Sequence, residues 1–320
     1  MPGQVRPPKA GSFQRKGEGR AAPIRALRGP HPLHFTLCLW YAKKALEGER
    51  YLEELARIFA AEGIDQWGIC SFQGLPLLPV GSRRRLPEDA RSVIVILIGY
   101  YIGEYPNRNL SRYALVDDYH TVFGEKLGRV VENLWNLFKT HRFIQFVDAS
   151  PIPEVLAAYR AGLGDVGQNG QLLNPVYGSR CFIGEIVTDL ELPPFSGEPP
   201  KICTNCGACV SACPTGALSP QGFQKDRCRS WITQKKGELT PWEARQIQLG
   251  GFVWGCDRCT DACPVNRGAA ASRVSEFYQG VVPRLTPENA GPLCASKAYG
   301  WRGETLLLRN LRLLADRPLP

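Results

Sequence analysis

Between residues 203 and 263 the chain places eight of its twelve cysteines. The first run, "CTNCGACVSACP", spaces Cys203, Cys206, Cys209 and Cys213 two, two and three residues apart and closes on Pro214. The second, "CDRCTDACP", supplies Cys256, Cys259 and Cys263 before Pro264, and Val253 stands where a matching first cysteine would fall. Cys228 lies alone between the runs. Twelve cysteines in a secreted protein would suggest disulfides, but these spacings are of the metal-binding kind. The segment is therefore expected to fold around an inorganic group.

The first run has the spacing of bacterial ferredoxins, in which three thiolates clasp one iron–sulfur cube and the fourth reaches a second. One run thus calls for a partner run, and the second supplies it. If Cys263 completes the set of Cys203, Cys206 and Cys209, the remaining Cys213, Cys256 and Cys259 lack one ligand, and Cys228 is the nearest unused thiol. Eight thiolates then serve two 4Fe-4S clusters with none left over. Zinc also takes paired Cys-x-x-Cys spacings, but it needs neither a three-cysteine array nor a closing Cys-Pro in both runs. Cys38, Cys70, Cys181 and Cys294 read as small buried hydrophobes.

Two linked clusters conduct electrons without saying what is reduced, so the acceptor must lie upstream. Residues 1–45 read as a disordered basic leader: the first 30 carry seven Lys and Arg against Glu18, which leaves only about +3 of the net charge of +9 for the rest. That leader lacks the apolar core of a secretory signal. The run "SVIVILIGYYIG" at 92–103 falls short of the roughly 18 residues of a membrane span and reads as a buried strand. A cytoplasmic protein without a membrane partner is expected. Residues 46–190 read as an α/β domain. "YLEELARIFAAEGI" puts Leu52, Leu55, Ile58 and Phe59 on one helical face, and a second helix runs from Val122 to Phe138. Strands are expected at "DQWGIC", "SVIVILIGY", "FIQFVD" and "CFIGEIVTDL". A proline-rich linker at 191–201 separates this domain from the cluster segment, 202–268, and a helical tail occupies 269–320. No GxGxxG follows a strand and no P-loop is present, so nucleotide chemistry is not indicated.

The segments "SRYALVDDYH", "FVDASPIPEV", "AGLGDVGQNGQLL" and "YGSRCFIGEIVTDLEL", followed by the double cluster with its lone intervening cysteine, together resemble the epoxyqueuosine reductase family over roughly 51–268. The resemblance implies an α+β fold: an α/β corrinoid-binding domain, shared with reductive dehalogenases, followed by a bacterial-type double 4Fe-4S ferredoxin-like domain. It implies an oxidoreductase that binds cobalamin as well as the clusters and converts epoxyqueuosine to queuosine in tRNA. Its partners would be that tRNA and an electron donor such as ferredoxin or flavodoxin. It also implies that Asp148 is the proton donor. Burial beneath Phe146 and Val147 would disfavour the charged carboxylate and keep Asp148 protonated, although Asp before Ser-Pro also reads as a helix cap. Arg112, Tyr113, Tyr119 and His120 match family segments near the corrinoid. Gly162, Gly164 and Gly167, with Asn169, form a turn where backbone could approach a flat ring. Asp257 either faces the corrinoid or is an exposed turn residue.

Two departures keep other readings open. "GDVGQNG" stands where the family usually has an aromatic and a lysine, as in "GWxGK", and the 57 residues after Cys263 are few for the helical-repeat extension that helps hold tRNA in many members. A corrinoid and iron–sulfur reductase of another substrate, dehalogenase-like, is one alternative. Its twin-arginine export signal would have to be Arg83 to Arg85, too deep in the chain. A non-catalytic iron–sulfur electron carrier is the other.

Overall fold

Every residue of β2 (Ser92–Gly99) is buried, so this strand must be covered on both faces, and the chain provides two different covers. The computed structural model describes residues 48–316; the basic leader expected over 1–45 lies outside them. β2 sits inside a four-stranded sheet in the order β1–β2–β6–β3, with β1 at Gln66–Ser71, β3 at Phe143–Val147 and β6 at Cys181–Thr188. Every pairing is antiparallel: Ser92 lies opposite Ser71 and Thr188, and Phe143 lies opposite Thr188. A continuous apolar run is more usual in a parallel strand. Here it reflects enclosure from both sides.

On one face Ile94, Ile96 and Ile98 pack with Leu55 and Phe59 of α1 (helical over 48–61) and with Phe123, Leu127, Val130 and Leu134 of α2 (Tyr119–Leu137). The i, i+4, i+7 spacing of those α2 residues gives the helix its apolar stripe, and the Asp118 side chain caps it by accepting from His120 N. Gly184 of β6 lets α2 approach, since a Cβ there would lie 2.6 Å from the Phe123 ring. On the other face Val93, Val95 and Leu97 pack against Ala157 and Ala158 of α3 (Glu154–Arg160).

After α3, the short strands β4 (Asp165–Val166) and β5 (Leu172–Leu173) form a hairpin. The proline-rich segment 191–201 is bonded to the sheet: Leu192 N donates to Ser92 Oγ (2.9 Å) and Phe195 N to Ile69 O (2.8 Å). The cysteine segment carries four short helices, α4 (Ala208–Ser211), α5 (Arg229–Gln234), α6 (Pro241–Gly250) and α7 (Arg258–Ala262). The final stretch, with α8 (Pro287–Leu293) and α9 (Glu304–Ala315), returns to the first core, where Phe277, Leu285, Tyr299 and Leu307 pack with α1 and α2 residues. Lys297 locks it there. Its buried ammonium donates to Leu115 O (3.3 Å) and Asp117 Oδ1 (2.9 Å), just ahead of α2, and to Gly280 O (2.6 Å). No helix among the described residues is long and apolar enough to cross a membrane.

Candidate active site and cluster loops

The two cysteine runs are held by polar side chains that the spacing alone did not reveal. Asp165 of β4 accepts from the backbone of Ile202 (2.9 Å) and Cys203 (2.8 Å), which fixes the start of the first run beside the 164–170 turn. Asn266, buried behind the second run, donates to Thr260 O (2.7 Å) and Ser179 Oγ (2.9 Å) and accepts from Ser179 N (2.8 Å). With α4 packed on α7, Cys203, Cys206, Cys209 and Cys263 line one cavity. Cys213, Cys228, Cys256 and Cys259 line another, of about 220 Å³.

Cys228 reaches that second group because α5, which begins immediately after it, is stapled to the 253–255 loop. Gly255 N donates to Thr233 Oγ1 (2.9 Å), and the buried Asn310 amide of α9 donates to both Thr233 O (2.8 Å) and Val253 O (2.9 Å). Val253, at the place of the missing cysteine, is wholly buried and donates its N–H to Asn109 O (2.7 Å). Among the described residues no three His, Cys, Asp or Glu side chains converge closely enough to hold a single metal ion.

Asp257, between Cys256 and Cys259, is buried, which removes the reading as an exposed turn residue. It accepts from Arg108 Nη1 (2.6 Å), Ser111 Oγ (2.5 Å) and Arg112 N (2.9 Å), and so ties the second cysteine run to the 108–112 segment. The Arg112 guanidinium points elsewhere, to Glu104 Oε2 (2.6 Å) and to Asp261, and is absent from the lining of the second cavity. Tyr113 does line that cavity, as do Asn169 and Asp257. Its hydroxyl accepts from Trp254 Nε1 (2.7 Å), and burial raises its pKa well above the usual tyrosine value. Asn169 and Gly167 border the first cysteine cavity as well, and the Asn169 Nδ2 is buried with no partner. Gly162 and Gly164 serve the protein's own packing: a Cβ would meet the Phe195 ring at 2.7 Å and the Leu173 carbonyl at 2.4 Å respectively.

Asp148 directly follows β3 with φ +52°, and Ala149 comes next at +45°, a left-handed backbone that non-glycine residues seldom adopt and that clusters at functional sites. Asp148 does not cap the next helix, because α3 starts after Pro153 without a side-chain cap. Its Oδ2 instead accepts from the Tyr119 hydroxyl and pairs with His120 Nε2 (3.1 Å), while His120 Nδ1 meets Asp118 Oδ1 (2.7 Å). The expectation of a protonated Asp148 is corrected here. Burial does oppose its ionisation, but the hydrogen bonds from His120 and Tyr119 outweigh it and hold the carboxyl below its ordinary range. The bonds to Asp118 and Asp148 raise His120 to about 9. At neutral pH the mobile proton therefore sits on His120, against an Asp148 carboxylate. Tyr119 is held flat by Phe182, ring centroids 3.9 Å apart. Ser82 Oγ donates to Ala149 O (2.5 Å), bracing the strained turn.

Two further acids stand near this turn, Glu154 at the start of α3 and Glu185 inside β6. The one signal in the sequence was a glutamate in the middle of the apolar strand "CFIGEIVT".

The family described as "4Fe-4S double cluster binding domain" matches residues 202–266, and "Epoxyqueuosine reductase QueG, DUF1730" matches 82–149. An epoxyqueuosine reductase of Synechocystis sp. is 40% identical over 220 residues, covering 64% of this chain and 73% of that protein. The chain belongs to the epoxyqueuosine reductase family. Another epoxyqueuosine reductase, from Leadbetterella byssophila, is 35% identical over 61% of this chain, which spans 65% of that relative's length. Among solved structures, an epoxyqueuosine reductase with an epoxyqueuosine-modified tyrosine tRNA stem loop is similar at TM-score 0.72 and 25% identity, covering 83% of this chain and 81% of that one. The Bacillus subtilis epoxyqueuosine reductase, solved with its catalytic aspartate loop swung out of the active site, matches with the same TM-score, identity and coverage. The cysteine segment is thus a double 4Fe-4S domain on an epoxyqueuosine reductase fold.

Proposed function

We propose that this chain is an epoxyqueuosine reductase, which removes the epoxide oxygen of epoxyqueuosine in tRNA to leave queuosine. The observation that carries the reading is the juxtaposition of two separate cysteine quartets with a cavity bordered by Tyr113 and Asn169. One 4Fe-4S cluster would be held by Cys203, Cys206, Cys209 and Cys263, the other by Cys213, Cys228, Cys256 and Cys259. The cavity that the second quartet lines extends past it to Asn169, Tyr113 and Gln171, and that end suits an edge of cobalamin, a flat ring rimmed with amides: Asn169 offers a buried, unpartnered amide N–H₂, and Tyr113 and Gln171 add polar groups. Tyr113, Asn169 and Gln171 would hold cobalamin there, and it would supply strongly reducing chemistry for the epoxide.

The chain's own residues manage the protons. Reducing an epoxide to an alkene and water consumes two electrons and two protons. The part-exposed His120–Asp148 pair holds one proton in a hydrogen bond, and Tyr119 orients the carboxylate that would pass it to the departing oxygen. That a Bacillus subtilis relative has a catalytic aspartate loop capable of swinging out supports giving this role to Asp148 on its strained turn. We place the enzyme in the cytoplasm, served by a ferredoxin or flavodoxin.

The test uses anaerobically purified protein reconstituted with iron, sulfide and cobalamin, given a chemical reductant and tRNA bearing epoxyqueuosine. Nucleosides are then read by mass spectrometry for loss of one oxygen. Conversion by wild type that disappears in Asp148→Ala is expected. Corrinoid binding without conversion would overturn the tRNA reading and direct attention to the altered turn at 164–170.

A further inference from the structure

An exposed tryptophan leaves a large apolar face in water, and several aromatic rings together mark a contact surface. Such a group stands where the 223–231 stretch meets the 298–302 turn. Trp301 is 60% exposed and Phe223 57%. The Arg302 guanidinium lies 3.6 Å from the centroid of the Trp301 ring and 5.9 Å from that of Trp231 in α5, over which the Lys225 ammonium also sits, at 3.7 Å. Lys225, Trp231, Arg302 and Trp301 therefore form one continuous patch. Arg227, two residues beyond Lys225, lies 5.5 Å over Trp242 of α6, which is exposed as well.

The fold does not neutralise these cations. Among the described residues Lys225, Arg227 and Arg302 form no ion pair, and Arg302 Nε is buried without a hydrogen-bond partner. Asp226 is the only acid between 223 and 231. The patch also adjoins the site. Phe223 and Ser230, the latter next to Trp231, line the cavity of the Cys228 quartet, and Arg227 Nε donates to the carbonyl of Thr215 (2.9 Å), another residue of that lining.

Cations set among exposed rings suit single-stranded nucleic acid, whose bases stack on the rings while its phosphates meet the charges. A duplex keeps its bases stacked on one another and offers phosphates alone. An acidic protein would answer the charges without presenting a flat face to each ring. We propose that this patch binds the unpaired nucleotides of the tRNA loop that presents the modified base, with Trp301 stacking a base and Lys225 and Arg302 meeting phosphates. The inference deepens the reductase reading and takes the identity of the RNA from it.

The test measures binding of a fluorescently labelled stem-loop RNA bearing epoxyqueuosine to the anaerobically reconstituted holoenzyme at several salt concentrations. A blunt RNA duplex of equal length is the control. Wild type should prefer the stem loop. Trp301→Ala should weaken stem-loop binding at least ~5-fold and leave duplex binding unchanged, because stacking is lost while phosphate contacts remain; Trp301→Phe should recover most of the affinity. Arg302→Gln should lower the slope of log affinity against log salt by about 0.7, the share of one phosphate contact on a single strand. In turnover the Trp301→Ala effect should fall on KM, with kcat, iron content and unfolding midpoint unchanged. Stem-loop affinity unmoved by Trp301→Ala overturns the proposal, as does a wild type that binds no stem loop or binds it no better than the duplex. Slower electron transfer from reduced flavodoxin at unchanged RNA affinity overturns it too, and makes the patch a protein-docking face. Stem-loop binding that responds to Trp301→Ala in a protein that converts no epoxide would uphold the patch and fail the reductase reading.

Discussion

Asp257→Asn changes one atom at the joint between the second cysteine run and the segment that carries Tyr113. In the wild type, Asp257 and Arg108 are both almost fully buried, with side chains 8% and 9% exposed and an N–O distance of 2.6 Å. The amide can keep its oxygen toward Arg108 and Arg112 N and turn its N–H₂ to Ser111 Oγ, so what it removes is the negative charge that pairs with Arg108. Breaking a buried ion pair from one side costs about 3–5 kcal/mol, because the surviving charge loses its partner without regaining water. Asp261 remains to bind the Arg112 guanidinium and lies 3.5 Å from Arg108 Nη2, and at 38% exposure it admits solvent. That places the cost at the lower end, about 3 kcal/mol. For a chain of this size each 1 kcal/mol moves the melting temperature by roughly 2–4 °C, so a fall of roughly 6–12 °C is expected by calorimetry. Arg108→Met added to Asp257→Asn should cost little more than Asp257→Asn alone, since the cycle isolates the pair. A fall under about 2 °C, or full additivity of the two changes, would refute the claim that Asp257 anchors this joint.

Two other expectations follow from the site. Cys228→Ala should halve the iron bound after anaerobic reconstitution and leave the cluster of the Cys203 quartet, because Cys228 shares a cavity only with Cys213, Cys256 and Cys259; retention of all the iron, measured by colorimetric assay, would remove Cys228 from the ligand set. The His120–Asp148 pair sets a pH window. His120, raised to about 9, lends stability that is complete below its ordinary pKa near 6.5 and is lost as pH rises through about 9, while Asp148, with a lowered pKa, lends stability above about 4 that is lost in acid. His120→Asn should therefore flatten the alkaline loss of stability in urea titrations at several pH values. An unchanged alkaline limb would show that this pair is not its cause.

Much of the local structure was legible because its causes are local. The cysteine spacings follow from what a cluster asks of a short loop. The stripe of α2 follows from the helical period, and the burial of β2 from its unbroken apolar run. Asp148 stood out at a strand end. The sequence did not disclose the antiparallel order of the sheet or the return of the last 50 or so residues to the first core, since both depend on which distant surfaces meet.

Charge states were hidden for the same reason. The sequence determined which residues could bind clusters and which segments would form strands and helices. The tertiary structure alone decided that Asp148 is ionised, because His120 and Tyr119 reach it from 28 and 29 residues away. It alone decided that Asp257 is a buried anchor, through Arg108 at a separation of 149 residues. It also decided that one carboxylate oxygen of Glu154 is buried without a partner near other acids. A proton's affinity is set by the water removed and the charges brought near, and folding determines both.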